Sequence, residues 1–438
     1  MPESPPCEKM RIQRKGGDFM SEPSTVPTAA HSEASRLATD ATPACIEFLR
    51  DLVALPSPPR GERLACERVM REMETLGYDE VLLDDMGNVL GRIGNGPRVI
   101  AFDAHIDTVG ISRPALWRFD PFKGHTLGGT LFGRGASDQK GGLATLVHGV
   151  AQIRKLGLPQ DLSLWVTATV NGEDCVGLAW QYLIKEYGLN PEAVVIAMPS
   201  HLGICRGQRG RLEIEISTEG VSTHASQPDR GANAIVAMMP IVHAITRMHA
   251  DLRVDHEMLG RGSAAVTGIS ADSPSFTAIP DGCTIRVDRR LTIGETAQSA
   301  LDEVKTLPEV QAAGAEVRFL EYAEPSWRGL KYPTQKIFPA WETPEESRVF
   351  QATQITARGV LGREPRLHRS AFSSHGCVTS GLRDIPTIGF GPANEKDSHT
   401  VNDQISLAQL QPAMAFYSLF PQVYERYTGN ESHSRTSD

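Results

Sequence analysis

The chain has 438 residues, 44 of them basic and 53 acidic, for a formal net charge of −9. It contains no basic stripe with interleaved aromatics, which argues against a nucleic-acid partner, and no apolar run of the ~20 residues that a membrane helix requires. With 40% hydrophobic and 22% charged residues, the composition is that of a globular chain, and its length suits two domains better than one core.

Residues 1–42 are rich in Pro, Ser, Thr and Ala and mix Lys9, Arg11, Arg14 and Lys15 with Glu3, Glu8 and Asp18. They read as a disordered tail with no apolar signal-peptide core, and their acids argue against a mitochondrial leader. Met20 is a second candidate start. The 7 cysteines are scattered without a CxxC pair and leave an odd one over, which favours a reducing compartment, the cytoplasm.

From Pro43 to about Gly77 the apolar spacing is helical, broken at Pro56-Ser57-Pro58-Pro59. Strands are expected at 80–83, 89–93 and 99–104, then a helix over 142–156, a buried strand over 162–170, a helix over 178–187 and a strand over 193–197. Strands alternating with helices predict a layered α/β core. Near Arg211 the pattern changes. A strand at 212–217, an amphipathic helix at 232–250, a strand at 283–291, a helix at 296–307 and a strand at 316–320 fit a β-α-β-β-α-β unit of ferredoxin-like order. The α/β core resumes with a helix at 345–361, a strand at 387–391 and a last helix from 406 to 427. The expected organisation is therefore a first catalytic half over 43–210, an inserted α+β domain over 211–322, a second catalytic half over 323–428 and a short disordered tail over 429–438.

Candidate ligands sit just beyond the strand ends, where α/β sheets place their sites. His105 and Asp107 lie two apart on one strand face. Asp107 is thus expected to accept one ring N–H of His105 and leave its other nitrogen free for a metal. Asp138, in the glycine-rich turn Gly133–Gly142, offers a hard oxygen able to bridge two ions. A phosphate loop is a poor reading of that turn, because GxxxxGK[ST] is absent. The corner Gly172-Glu173-Asp174, the corner Met198-Pro199 and the late His399 complete the set. Lys140 is expected to hold the turn. A cysteine nucleophile at Cys175 is disfavoured, because neighbouring carboxylates raise a thiol's pKa.

The motifs HIDTV (105–109), GRGASDQKGG (133–142), EDCVGL (173–178), RGQRGRLEIEI (206–216), STHASQPDRGANAI (222–235), VDRRLTIGET (287–296) and GFGPANEKDSH (389–399) resemble, in order and spacing, the di-zinc aminoacylase and carboxypeptidase family. That family includes acetylornithine deacetylase, succinyl-diaminopimelate desuccinylase and glutamate carboxypeptidase. The likeness is greatest to its branch of selenium-metabolism-associated hydrolases. It implies a zinc-peptidase-like catalytic domain with an inserted lid, a homodimer formed through that lid, and a zinc-dependent hydrolase of N-acyl amino acids or small peptides. The resemblance implies metal ligation by His105, Asp138, Glu173 and His399. His224 would contact substrate and stabilise the oxyanion in the partner subunit's site, and Arg290 would bind a substrate carboxylate.

Two positions depart from the family's pattern. The general-base glutamate is replaced by Gly172, and a carboxylate ligand by Met198, whose thioether is a soft donor poorly suited to zinc. General acid-base help is worth roughly 10²–10⁴. One firmly held zinc, on Asp138, Glu173 and His399, is therefore expected, with a second ion weak or absent; cobalt and manganese are alternatives. A register shift would make Glu173 the base and Asp174 the ligand. His201, three residues past Met198, is weighed as a substitute ligand, while His368 and His375 carry no reading. The alternative function is a non-catalytic family member that binds a metabolite or partner as a homodimer.

Overall fold

The computed structural model describes residues 28–427. Its main sheet runs in the order Glu80–Leu83, Val89–Ile93, Leu162–Thr169, Arg98–His105, Ala193–Ile196, Thr387–Phe390, Ile204–Gln208 and Trp341–Glu342, with Leu367–Ser370 beside Ile204–Gln208. Central strands covered on both faces need continuous apolar runs. Ala193–Ile196 and Thr387–Phe390 are accordingly buried at every residue. The helix Gly141–Ala151 is buried from Gly141 to Val150 and packs against the last helix, Leu410–Arg426. It rides close on the sheet, since a Cβ on Gly142 would fall 2.4 Å from the Ala197 carbonyl oxygen.

The inserted domain has its own sheet, ordered Ser263–Asp272, Gly282–Leu291, Gly210–Glu219 and Glu316–Phe319, antiparallel throughout. With the helices Ala234–Asp251 and Ala297–Lys305 this is the ferredoxin-like arrangement, closed over a separate core that includes Ile214, Ile216, Ile241, Ile285 and Val304. The sheet gains Ile337–Phe338 against Gly210–Glu219, so the lid draws on chain beyond residue 322.

The first helix spans Thr28–Ala54, which corrects the reading of 1–42 as a tail for its last fifteen residues; residues 1–27 and the expected tail at 429–438 lie outside the described residues. Pro43, read as a helix start, sits inside this helix. The buried stripe Ala34, Ala38, Cys45, Leu49 and Leu52 passes straight through it. Burial of that stripe outweighs the one backbone hydrogen bond that a proline removes. No helix of the described residues is long and apolar enough to cross a membrane.

Candidate metal centre

Leu162–Thr169, Arg98–His105, Ala193–Ile196 and Thr387–Phe390 are consecutive parallel neighbours, so the loops leaving their C-terminal ends converge. His105 ends one strand, and the Gly172–Glu173 corner follows the next. His399 arrives on the loop after Phe390 with a left-handed backbone, φ 61°. Asp138 comes from the turn before Gly141, whose shape is fixed from behind. Asp403 accepts hydrogen bonds from the Gly135 N–H (2.7 Å), the Ser137 N–H (2.8 Å) and Arg134 (3.0 Å). Lys140 Nζ donates to the Leu52 and Leu55 carbonyls, both at 2.8 Å, and burial pulls its pKa down to about 7.

These loops bring the four expected ligands together. His105 Nε2 lies 3.2 Å from Asp138 Oδ1, and His399 Nε2 lies 3.4 Å from Asp138 Oδ2 and 3.1 Å from Glu173 Oε1. His105, Asp138 and Glu173 each offer one donor atom within 4.8 Å of the others. Ligands at Zn–N and Zn–O distances of about 2.0–2.1 Å in a tetrahedron stand about 3.3 Å apart, so the donor set fits zinc. The two oxygens of Asp138 face different imidazoles, the disposition of a bridging carboxylate.

The charge pattern matches. Burial opposes ionisation of Asp138, but the two imidazoles outweigh it and hold its carboxyl below the usual range. Hydrogen bonds to Asp138 and Glu173 raise His399 to about 10. Burial opposes a charged His105, yet the Asp107 and Asp138 carboxylates raise it well above the usual imidazole value. Glu173 is raised chiefly by burial.

The reading of Asp107 needs correction, and the alternatives weighed beside it gain no support. His105 Nδ1 is 2.9 Å from the main-chain carbonyl of Asp107 and 3.6 Å from its carboxylate. That carboxylate instead accepts the N–H groups of Gly172 (2.9 Å) and Glu173 (2.8 Å), and so sets the corner that carries Glu173. Asp174 turns away toward Tyr322 (3.5 Å) and Arg60 (3.8 Å), so the register shift finds no support. Met198 lines the same cavity as these ligands, with its thioether packed against the sheet, where a Cβ on Gly389 would lie 2.4 Å from Met198 Sδ. His201 bonds Gln409 at 2.6 Å and lines a different cavity. Burial pushes the Cys175 thiol up to about 12.

The centre opens into a cavity of about 300 Å³ lined by Arg211, Arg290, Ser370, Phe372, His375 and Glu395 among others. Arg290 is there as expected, braced by Asp288 at 2.7 and 2.9 Å. His224 is not; it is exposed on the lid, bonded to Ser226 at 2.7 Å. Sequence reasoning missed Arg211, which pairs across the sheet with Arg290. It also missed Glu395, and it left His375 without a role.

Glu62 was missed too. It is wholly buried beneath the corner, with Oε1 accepting the Asn171 N–H at 3.1 Å. Burial and the Asp107 charge push it up to about 8. A carboxyl whose pKa rises on folding binds more protons folded than unfolded, so stability falls as pH rises from about 4.5 toward 8. Glu62→Gln is expected to stabilise the chain by up to about 4 kcal/mol at pH 8 and to give no advantage near pH 4. Denaturant melts at the two pH values check this.

A model of the family "Peptidase family M20/M25/M40" matches residues 101–422. The chain is 45% identical over 374 residues to the uncharacterized protein YgeY of Escherichia coli (strain K12), covering 85% of this chain and 93% of that one. It is 27% identical over 399 residues to succinyl-diaminopimelate desuccinylase of Gluconacetobacter diazotrophicus, covering 87% and 97%. The crystal structure of the M20 family metallo-carboxypeptidase Sso-CP2 from Sulfolobus solfataricus superposes with a TM-score of 0.68 at 18% identity, over 87% of this chain and 98% of that one. A shared carboxylate between two imidazoles, on this fold and with this extent of similarity, has one reading: the chain belongs to peptidase family M20/M25/M40, a family of hydrolases acting on amide and peptide bonds.

Proposed function

We propose that this chain is a zinc-dependent hydrolase of the amide bond in N-acyl amino acids or small peptides. It works in the cytoplasm as a homodimer in which the exposed His224 of one lid serves the partner's site. The observation that carries the reading is the Asp138 carboxylate, faced by His105 on one oxygen and His399 on the other. Asp138, Glu173 and His399 hold the firm ion; the position beside His105 lacks the carboxylate that Met198 replaces, and a second ion binds there weakly. When bound, the ion polarises the scissile carbonyl and acidifies water. Arg290, with Arg211 beside it, grips the substrate carboxylate through its planar fork. With Glu173 engaged on the ion, Gly172 supplies no proton acceptor, and turnover is correspondingly slow.

The test starts from chelator-stripped protein. Titration with zinc is expected to show one tight ion per chain and a second only at excess, and to restore hydrolysis of a panel of N-acyl amino acids and dipeptides. Tight zinc without turnover on any member of the panel would replace this reading with the binding homodimer.

A further inference from the structure

One buried pair in the cavity wall has no part in the reading above. His375 is 3% exposed and Asp103 fully buried, and His375 Nδ1 lies 2.7 Å from Asp103 Oδ2. Asp103 Oδ1 accepts the Thr167 hydroxyl at 2.8 Å, so the carboxylate is fixed on both oxygens. With its Nδ1 proton committed to Asp103, the ring carries a lone pair on Nε2, and that atom has no partner among the described residues. A buried polar atom left so costs about 1–3 kcal/mol, which asks for a ligand. His375 lines the same cavity as the metal centre, its ring centroid 6.3 Å from that of His105.

The neighbouring hydroxyls are committed inside the protein. Ser370 donates to Glu395 and accepts from the Phe372 N–H; Ser374 donates to Gln208 and accepts from the Gly376 N–H. Among the described residues of the cavity lining, the Ser373 hydroxyl and the Arg211 Nε are also without a partner.

We propose that His375, held by Asp103, is a substrate-positioning residue whose Nε2 accepts the N–H of the scissile amide. A trans amide directs its C=O and N–H in opposite directions. A substrate whose carbonyl oxygen faces the ion therefore turns its N–H away, toward a wall that must offer an acceptor. This rests on the proposed hydrolase reading and adds to it a preference for secondary amides over esters.

The probes are a phosphonamidate analogue of an N-acyl amino acid, carrying P–NH, and its phosphonate counterpart, carrying P–O, titrated by calorimetry into zinc-loaded protein. The wild type is expected to bind the first about tenfold or more tighter, the worth of one buried hydrogen bond. His375→Phe should erase the preference with zinc content unchanged, His375→Gln should restore part of it, and Ser373→Ala should leave it intact. Asp103→Asn moves the ring proton to Nε2 and should invert the preference, which loss of packing alone does not do. Equal affinity of the wild type for both probes, with N-acyl amino acids still hydrolysed, overturns the role of His375 and leaves the hydrolase reading standing. No binding of either probe and no hydrolysis overturns both.

Discussion

Asp138→Asn is expected to strip the chain of its ion and its hydrolytic activity together. Both imidazoles of the centre address this side chain, at 3.2 and 3.4 Å, on different oxygens, and an amide keeps the shape while losing the charge and one acceptor. Loss of an outer partner of a metal ligand typically costs 10–100-fold in affinity; loss of the shared ligand itself should cost at least about 10²-fold, and activity should fall at least about as far. The fold should survive. The turn that carries Asp138 is anchored by Asp403 on Gly135 and Ser137 and by Lys140 on the first helix, none of which the substitution touches. Zinc content by elemental analysis, read beside a thermal melt, decides the matter. An Asp138→Asn protein that melts normally and retains stoichiometric zinc would remove the basis of the proposed centre.

The catalytic fold was legible because its strands are continuous apolar runs and its site residues follow strand ends in short motifs. His105, Asp138, Glu173 and His399 could each be named from such a motif, and they do converge. What failed has identifiable causes. The rule that residues two apart share a face holds only within a strand, and the strand stops at His105; Asp107 already lies in the loop, so its carboxylate meets the next corner instead of the imidazole. The lid's edge strand Ser263–Asp272 had no clear pattern because its outer half, Gly268 excepted, is exposed on both faces and, apart from an exposed Ile269, carries small or polar residues. His375 was opaque for a different reason. Its partner Asp103 is 272 positions away, and neither residue belongs to a motif that points to the other. Long-range pairs of this kind are set by topology, which a sequence pattern does not display.

Gly172→Glu should raise turnover while weakening the grip on zinc, and the two effects come from separate parts of the side chain. The carboxylate returns a proton acceptor to the place where the family's pattern has one, and general-base help is worth roughly 10²–10⁴. The Cβ has a cost. At position 172 it would lie 2.8 Å from His105 Cβ and 2.9 Å from His105 Cγ, closer than carbon atoms pack, and 3.2 Å from Asp107 Oδ1. Either the corner backs off or the imidazole moves, and overpacking of this order costs typically 1–3 kcal/mol. Because the corner that must back off carries Glu173, a proposed ligand of the firm ion, and His105 flanks the weak second position, that strain appears as a zinc affinity lowered by about 10- to 100-fold. The catalytic gain exceeds the strain only when zinc is saturating, so kcat must be measured there, where an increase of about 10² over the wild type is expected. Gly172→Ala carries the same Cβ without the carboxylate, and should show the weakened zinc affinity with no rise in kcat. If Gly172→Glu at saturating zinc turns over no faster than Gly172→Ala, the missing carboxylate is not what limits this chain, and the slow step lies elsewhere in the cavity.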